Sequence, residues 1–311
     1  MSQKIVIICD PGIDGAFAVT LAMLDRELEV VGVAASAGNV SAEQATTNVQ
    51  IIVGQIDPPR LPRLGAAPAI EYDVDGVKLH GPNGLGNTSF PCVPLHHLPS
   101  SDKLVADLVR LYPQEVTIVC LGPATVLARA MDLLPELPSL AKRIVLIGGS
   151  LHEPGNAGPV SEFHFFCDPM AARKVLLSDA RVTLIPLDVM RQVLFSPSDL
   201  LDLPAEDSRA STFLRQIVPF GIAATSNMYG LEGFHLKDVL GIVAVSQPEL
   251  LKTKSMRVDV ETRGELTRGM TVFDQRTWQQ GGPNAEVVME VSIGAIRGYV
   301  GRILRGSRGS A

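Results

Sequence analysis

Five apolar runs of strand length, each rich in Val and Ile, restrict this chain to one broad architecture. They are KIVIIC (4–9), LEVVGVAAS (28–36), VTIVCLG (116–122), RIVLIGGS (143–150) and RVTLIPLD (181–188). None keeps the strict apolar/polar alternation of a strand with one wet face, so each is expected to be covered on both faces, as in a parallel sheet. Between them lie helical patterns. SAEQATTNVQIIVGQI (41–56) opens on Ser41, a residue suited to cap a helix start, and DKLVADLVRLYP (102–113) and DPMAARKVLLS (168–178) are amphipathic. Strand and helix in alternation predict an α/β fold: an open, mainly parallel sheet flanked by helices. No repeat and no Pro/Ser-rich linker divides the chain. Residues 1–305 read as one domain, with a disordered tail over 306–311. At 311 residues, 46% of them hydrophobic, the chain can bury a large core.

Charge and cysteine usage narrow the partners. The net charge is −6 and the basic residues are scattered, without a Lys/Arg block interleaved with aromatics, which argues against nucleic acid. No apolar run reaches the roughly 18 residues of a membrane span, and the N-terminal apolar stretch is short for a signal peptide and ends in an acid. Cys9, Cys92, Cys120 and Cys167 form no CxxC pair and sit in or beside apolar segments. Reduced, buried thiols and a cytoplasmic location are expected.

Ligands of open parallel sheets bind beyond the carboxyl ends of the strands. Five turns fall there: Asp10 after the first run, Gly38-Asn39 after the second, Gly122-Pro123-Ala124-Thr125 after the third, Gly148-Gly149 after the fourth and Asp188 after the fifth. Five such turns around one rim suggest a single site. The first reads Asp10-Pro11-Gly12-Ile13-Asp14-Gly15. Its plainest reading is a Pro-Gly turn from strand to helix, with both acids serving the turn and the cap. A dinucleotide site would want G-x-G-x-x-G, and only Gly12 and Gly15 are present. A phosphoryl-transfer aspartate would want a glycine cradle and a helix-facing Ser/Thr, which are missing.

The stretch closely resembles the start of the inosine-uridine preferring nucleoside hydrolase family, where a strand leads into D-x-D-P-G-x-D-D-A. Here Ile8 and Gly15 stand at the first and last acidic positions, and Asp10 and Asp14 are kept. Other segments resemble the family in the same order along nearly the whole chain. ASAGNVSAEQATTN carries Gly38-Asn39, and LHGPNGLGN resembles the H-G-x-x-G-L-G loop with His80. CLGPATVLARAM resembles G-P-L-T-N-x-A and places Thr125. IVLIGGSLHEPGNAGPVSEFHFFCDPMAA resembles the segment with G-N-x-x-P-x-x-E-F-N and D-P-x-A-A. It places Asn156 and Glu162, with His164 where Asn is usual. GFHLKDVLGIVAVSQPEL resembles the H-D-P segment, keeping Asp238 and putting Lys237 where His is common.

The resemblance implies a nucleoside hydrolase fold and hydrolysis of the N-glycosidic bond of a ribonucleoside to ribose and free base, in the service of purine or pyrimidine salvage. It implies a Ca²⁺ ion that orients water and ribose, since calcium is a hard cation with about six to eight oxygen ligands. Residue by residue, Asp10 becomes metal ligand and general base, and Asp14 a partner of the ribose 2′-hydroxyl. Thr125 becomes a metal ligand through its carbonyl, and Asp238 binds metal and the 3′-hydroxyl. Asn156 and Glu162 hold the ribose, Asn39 lies near metal and ribose, and His80 borders the base. The plainer alternative for three of these is structural: Asn39 capping a loop, His80 a satisfied loop histidine and Asn156 serving a turn. His164 and Lys237 fall in the implied pocket. Either they serve substrate, or His164 packs on the sheet and Lys237 points to solvent. His235 is read as a leaving-group acid or a loop residue, and Tyr229 and Phe234 as base-lining or core.

Where the resemblance implies an aspartate, Gly15 removes two donor oxygens and one charge, so calcium is expected to bind weakly or not at all, with the Lys237 cation compensating if the metal site is empty. Three functions follow: a hydrolase; a weakened or inactive relative that binds a nucleoside or another ribosyl compound as a sensor; or a hydrolase whose His164 and Lys237 contact an anionic or modified substrate. The partner is a small-molecule ribonucleoside, and the family's habit implies a homodimer or homotetramer.

Overall fold

The computed structural model describes residues 2–92, 95, 97–201, 208–277 and 281–306. The five runs all become strands of one sheet: β1 (Gln3–Cys9), β2 (Leu28–Ala35), β4 (Thr117–Cys120), β5 (Arg143–Ile147) and β6 (Val182–Ile185), with the short β3 (Arg63–Gly65) at one edge. Two further short strands, β7 (Leu194–Phe195) and β8 (Phe234–His235), pair with each other apart from the sheet. The chain then adds β9 (Leu251–Val260), β10 (Thr271–Asp274) and β11 (Ala285–Val291) to the other edge.

The strand order is β10-β9-β11-β6-β5-β4-β1-β2-β3. From β3 to β11 every pairing is parallel, and β9 and β10 continue the sheet antiparallel. The mainly parallel sheet flanked by helices is therefore as expected. The expectation omitted the antiparallel edge. The reason lies in β9, whose first half is exposed, so it carries no continuous apolar run.

Alternate residues of β1 explain why its run is unbroken. Ile5, Ile7 and Cys9 enter one core layer, while Val6 and Ile8 enter the other. The first layer is closed by helices Ile13–Leu24, Ala42–Ile56, Arg209–Tyr229, Val239–Ser246 and Ile293–Gly306. Helices Ser101–Leu111, Thr125–Leu133 and Pro169–Leu176 close the second. Burying both faces of the strands and the apolar stripes of these helices is the main driving force for the fold. Ser41 caps Ala42–Ile56 by accepting the Gln44 N–H, as read from sequence. Of the expected tail, Gly306 closes the last helix, and 307–311 lie outside the described residues.

Cys9, Cys120 and Cys167 are free and buried; Cys92 is free but half-buried in a loop, short of the burial expected for it. Among the described residues, no helix is long and apolar enough to cross a membrane.

The topology places the site. Chain order runs outward from β1 in two directions, β1-β2-β3 and β1-β4-β5-β6. Connections therefore diverge at the carboxyl ends of β1 and β4 and leave a crevice between them, the usual ligand position in such sheets. Asp10 is the first residue beyond β1.

Candidate active site

Asp10 is fixed by its neighbours on all but one side. Its Oδ2 accepts the Asn39 backbone N–H at 2.9 Å, and the Asn39 side-chain amide donates to the Asp10 carbonyl at 2.9 Å. Gly38 and Gly122 pass so close that a Cβ on either would lie 2.1 Å from Asp10 Oδ2 or 2.9 Å from Asp10 Oδ1, respectively. Glycine is needed at both places for space. If Asp10 reacts, as the family resemblance implies, Gly38→Ala is expected to push its carboxylate aside and lower kcat by about 10², the scale for misplacing a reacting group by an ångström. Steady-state kinetics beside a circular dichroism melt checks this; a folded variant with normal kcat would mean that Asp10 need not stay where it is.

Asp14 stands in the first turn of helix Ile13–Leu24, where a negative charge suits the helix N-terminus. Its Oδ1 accepts the Gly15 N–H at 3.0 Å. His80 lies beside it, 3.8 Å from Nδ1 to Asp14 Oδ1, and that same Nδ1 accepts the Ile13 N–H at 3.1 Å. A nitrogen that accepts carries no proton, so His80 is neutral with its proton on Nε2. Burial agrees, pulling its pKa down to about 4 against the opposing pull of Asp14. Phe234 packs edge-on against His80 at 5.8 Å and is itself buried.

Glu162 caps the short helix Phe163–Cys167. Its Oε2 accepts N–H groups from His164 at 3.0 Å, Phe165 at 3.2 Å and Gly149 at 3.3 Å. Asn156 assists this loop through its carbonyl oxygen, which accepts the Phe163 N–H at 2.8 Å. His164 bridges two acids, with Nε2 3.7 Å from Asp10 Oδ1 and Nδ1 3.6 Å from Glu162 Oε1. Burial and the Lys237 charge hold its pKa at about 3, so it too is neutral.

Lys237 and Asp238 arrive from the turn before helix Val239–Ser246. The Lys237 ammonium lies 3.6 Å from Asp14 Oδ2 and over the Phe163 ring at 5.9 Å. Its side chain is 15% exposed, so it faces the crevice rather than bulk water. Burial alone would lower its pKa, but the charges of Asp14, Asp238, Glu162 and Asp10 together raise it.

The acids divide accordingly. Burial pushes Asp10, Glu162 and Asp238 above the ordinary carboxylate range. Asp14, equally buried, is held below it by the Lys237 ammonium, with help from the Gly15 N–H it accepts.

Asp10, Asp14, Asn39, His80, Glu162, His164, Lys237 and Asp238 thus share one crevice. Asn156 sits at its margin and is exposed. Thr125 also lies at the crevice, but its hydroxyl is engaged with Asp168 and the Tyr72 hydroxyl, each at 2.7 Å. Tyr229 is 55% exposed at the end of its helix, and His235 is half-buried on β8.

One contributor escapes a reading of the sequence: Tyr72 comes from a loop with no regular pattern. Asp188, one of the five rim turns, spends its carboxylate on the N–H groups of Leu151, His152 and Glu153 and so anchors the loop leading to Glu162.

Four buried carboxylate oxygens, Asp10 Oδ1, Asp14 Oδ2, Glu162 Oε1 and Asp238 Oδ1, have no hydrogen-bond partner, and neither ring nitrogen of His164 has one. Buried acceptors are ordinarily satisfied, so a concentration of open ones marks a place for a ligand rich in donors. A calcium ion is the other way to satisfy such oxygens, and here the donor set does not fit one. Gly15 contributes no oxygen, although its Cβ position lies 3.2 Å from Asp238 Oδ2, where a side chain would stand beside that acid. Asp10 Oδ1 is faced by His164, and Asp14 by an ammonium. Among the described residues, no three His, Cys, Asp or Glu side chains are grouped as they would be around a metal ion.

Comparison with known proteins places the chain as a whole. The family model described as inosine-uridine preferring nucleoside hydrolase matches residues 5–297. The inosine-uridine preferring nucleoside hydrolase of Leishmania major is 33% identical over 283 residues, 89% of each chain. The pyrimidine-specific ribonucleoside hydrolase RihA of Klebsiella pneumoniae is 33% identical over 297 residues, 94% of each. Among solved structures, the purine-preferring ribonucleoside hydrolase from Gardnerella vaginalis superposes with a TM-score of 0.91 at 27% identity, covering 99% of this chain and 100% of that one.

Proposed function

The chain belongs to the inosine-uridine preferring nucleoside hydrolase family, and from that premise we propose that it hydrolyses the N-glycosidic bond of a ribonucleoside to ribose and free base. The observation that carries the reading is the set of four open oxygens on Asp10, Asp14, Glu162 and Asp238 in one buried crevice. Ribose hydroxyls are the donors such oxygens lack. Departure of the base leaves positive charge on the sugar, and fixed carboxylates stabilise it more than they stabilise the neutral ground state.

Asp10 is the general base for the attacking water. It is rigidly held, one of its oxygens is open, and burial raises its basicity toward the working pH. Asp14 and Asp238 take ribose hydroxyls, and Glu162 takes the far side of the sugar. His80 is at the base side, where Nε2–H is its free donor. Asn39 acts on Asp10, and Asn156 acts through the Glu162 loop rather than on the sugar. The family uses a metal ion; for this chain we propose that calcium is held weakly or not at all, given Gly15. The setting we propose is base salvage by a homodimer or homotetramer in the cytoplasm, a reducing compartment with which the four free thiols agree.

A release assay for reducing sugar over purine and pyrimidine nucleosides, with and without calcium, tests the reading. At least one nucleoside is expected to be cleaved. The matching 5′-nucleotides should react at least about tenfold more slowly, because four acids outnumber one ammonium and both histidines are neutral. The second reading, a nucleoside-binding relative without turnover, is favoured by Gly15; it would show saturable binding of a nucleoside without sugar release.

A further inference from the structure

The family's metal ion and this donor set disagree, and the crevice holds another positive charge. We infer that the Lys237 ammonium is the built-in cation of this site, balancing the carboxylates in place of a divalent ion, so that the enzyme works without a bound metal. The inference rests on the ribosyl-site reading only for what the charges act upon.

Three observations meet here. Lys237 Nζ is 3.6 Å from Asp14 Oδ2, and the charges of Asp14, Asp238, Glu162 and Asp10, which come from three segments of the chain, act together on its ammonium. Its ammonium lies over the Phe163 ring at 5.9 Å, and its side chain is only 15% exposed, so it is held in the crevice and not swung out. Across the crevice, at Gly15, the side chain that would lie beside Asp238 is absent.

The two departures are complementary. Losing a carboxylate lowers the site's negative charge by one, and gaining an ammonium lowers it by one more. Two units is the charge a divalent ion would have supplied. A divalent ion entering now would meet an ammonium next to Asp14 and find fewer oxygens, so lysine and metal exclude each other. An ammonium also differs from an ion in what it can do. It offers up to three N–H donors and accepts nothing, so it can orient a water or a ribose oxygen by hydrogen bonding while Asp10 keeps its open oxygen for the proton.

The test combines metal analysis, calcium calorimetry, melting temperature and hydrolysis rate on the full chain. Wild type is expected to purify with far less than one equivalent of divalent metal. Chelator treatment should leave its melting temperature and rate unchanged, and calcium should give no saturable heat. Lys237→Met removes the charge and keeps the length. Its turnover should fall by about 10², and calcium, inert toward wild type, should raise its melting temperature by about 5 °C as the ion takes the vacated place.

If Lys237→Met does not fold, Gly15→Asp decides. With Lys237 present, the restored acid should still bind calcium poorly, and the double variant Gly15→Asp/Lys237→His should bind it with saturable heat. One equivalent of metal in wild type, or tight calcium in Gly15→Asp alone, overturns the inference. The two readings also fail differently. Hydrolysis that appears only with calcium removes the lysine assignment and keeps the hydrolase. A wild type that neither binds calcium nor cleaves any nucleoside keeps the assignment and removes the hydrolase.

Discussion

With Asp10 as the proposed general base, Asp10→Asn is expected to lower the turnover of ribonucleoside hydrolysis by about 10² to 10⁴, the range for loss of such a base, and to leave the protein folded. The orientation of the new amide is fixed by its surroundings. Asp10 Oδ2 accepts the Asn39 N–H, so the amide must keep its oxygen there and turn its NH₂ to the position of Oδ1. That position is the open one, 3.7 Å from His164 Nε2. The substitution therefore exchanges the proton acceptor for a donor and little else. A buried acid with a raised pKa is also replaced by a neutral group of the same shape, so the melting temperature should hold or rise. The effect belongs in kcat, with KM nearly unchanged, because ground-state contacts to the ribose come from other side chains. Undiminished kcat in a folded Asp10→Asn would remove Asp10 from proton transfer.

What could be read from the sequence follows from the range over which each feature is determined. The five strand runs declare themselves because burial on both faces leaves an unbroken Val/Ile signature, as Ile5 to Cys9 illustrates by filling two core layers with successive residues. Asp10 is legible for a related reason: an acid directly after such a run has to lie at the strand's carboxyl end. β9 was not legible, because its exposed first half has no apolar run and its place is set by pairing with β10 and β11, which follow it in sequence.

Lys237 shows the limit at the site itself. Nothing local distinguishes a lysine in a solvent-facing turn from one among acids. The decision comes from Asp14 and Glu162, remote in the chain and brought close by the sheet order. Asn156 and Thr125 show the same limit in reverse. Their motifs suggested contact with sugar and, through the Thr125 carbonyl, with metal; the side-chain partners they have here, the Phe163 N–H for Asn156 and Tyr72 and Asp168 for the Thr125 hydroxyl, are not written in those motifs. Asp188 is a rim acid by position, and three successive N–H groups turn it into an anchor.

Glu162 should separate structure from chemistry when it is substituted in two ways. Its Oε2 serves three buried N–H groups, on Gly149, His164 and Phe165, while Oε1 is open toward the crevice. Glu162→Ala leaves those donors without an acceptor in a region closed to water. Hydrogen bonds to a carboxylate and loss of a helix cap together put the cost at about 2 to 4 kcal/mol. For a chain of this size that is a melting temperature lower by about 5 to 10 °C. Turnover should fall as well, since the loop carrying His164 and Phe163 loses its anchor. Glu162→Gln is the informative partner. The amide oxygen can take the place of Oε2 and keep all three donors, and the NH₂ then falls where Oε1 was, 3.6 Å from His164 Nδ1, which accepts from it in the neutral tautomer protonated on Nε2. Its melting temperature should stay close to wild type. What it loses is one negative charge facing the sugar, and kcat/KM should drop by about 10², the scale for removing one preorganised electrostatic contact in a transition state. Equal melting temperatures for the Ala and Gln variants would mean that the three N–H groups find other acceptors. Normal kcat/KM in Glu162→Gln would mean that the Glu162 charge does not reach the sugar, and would confine it to holding the loop.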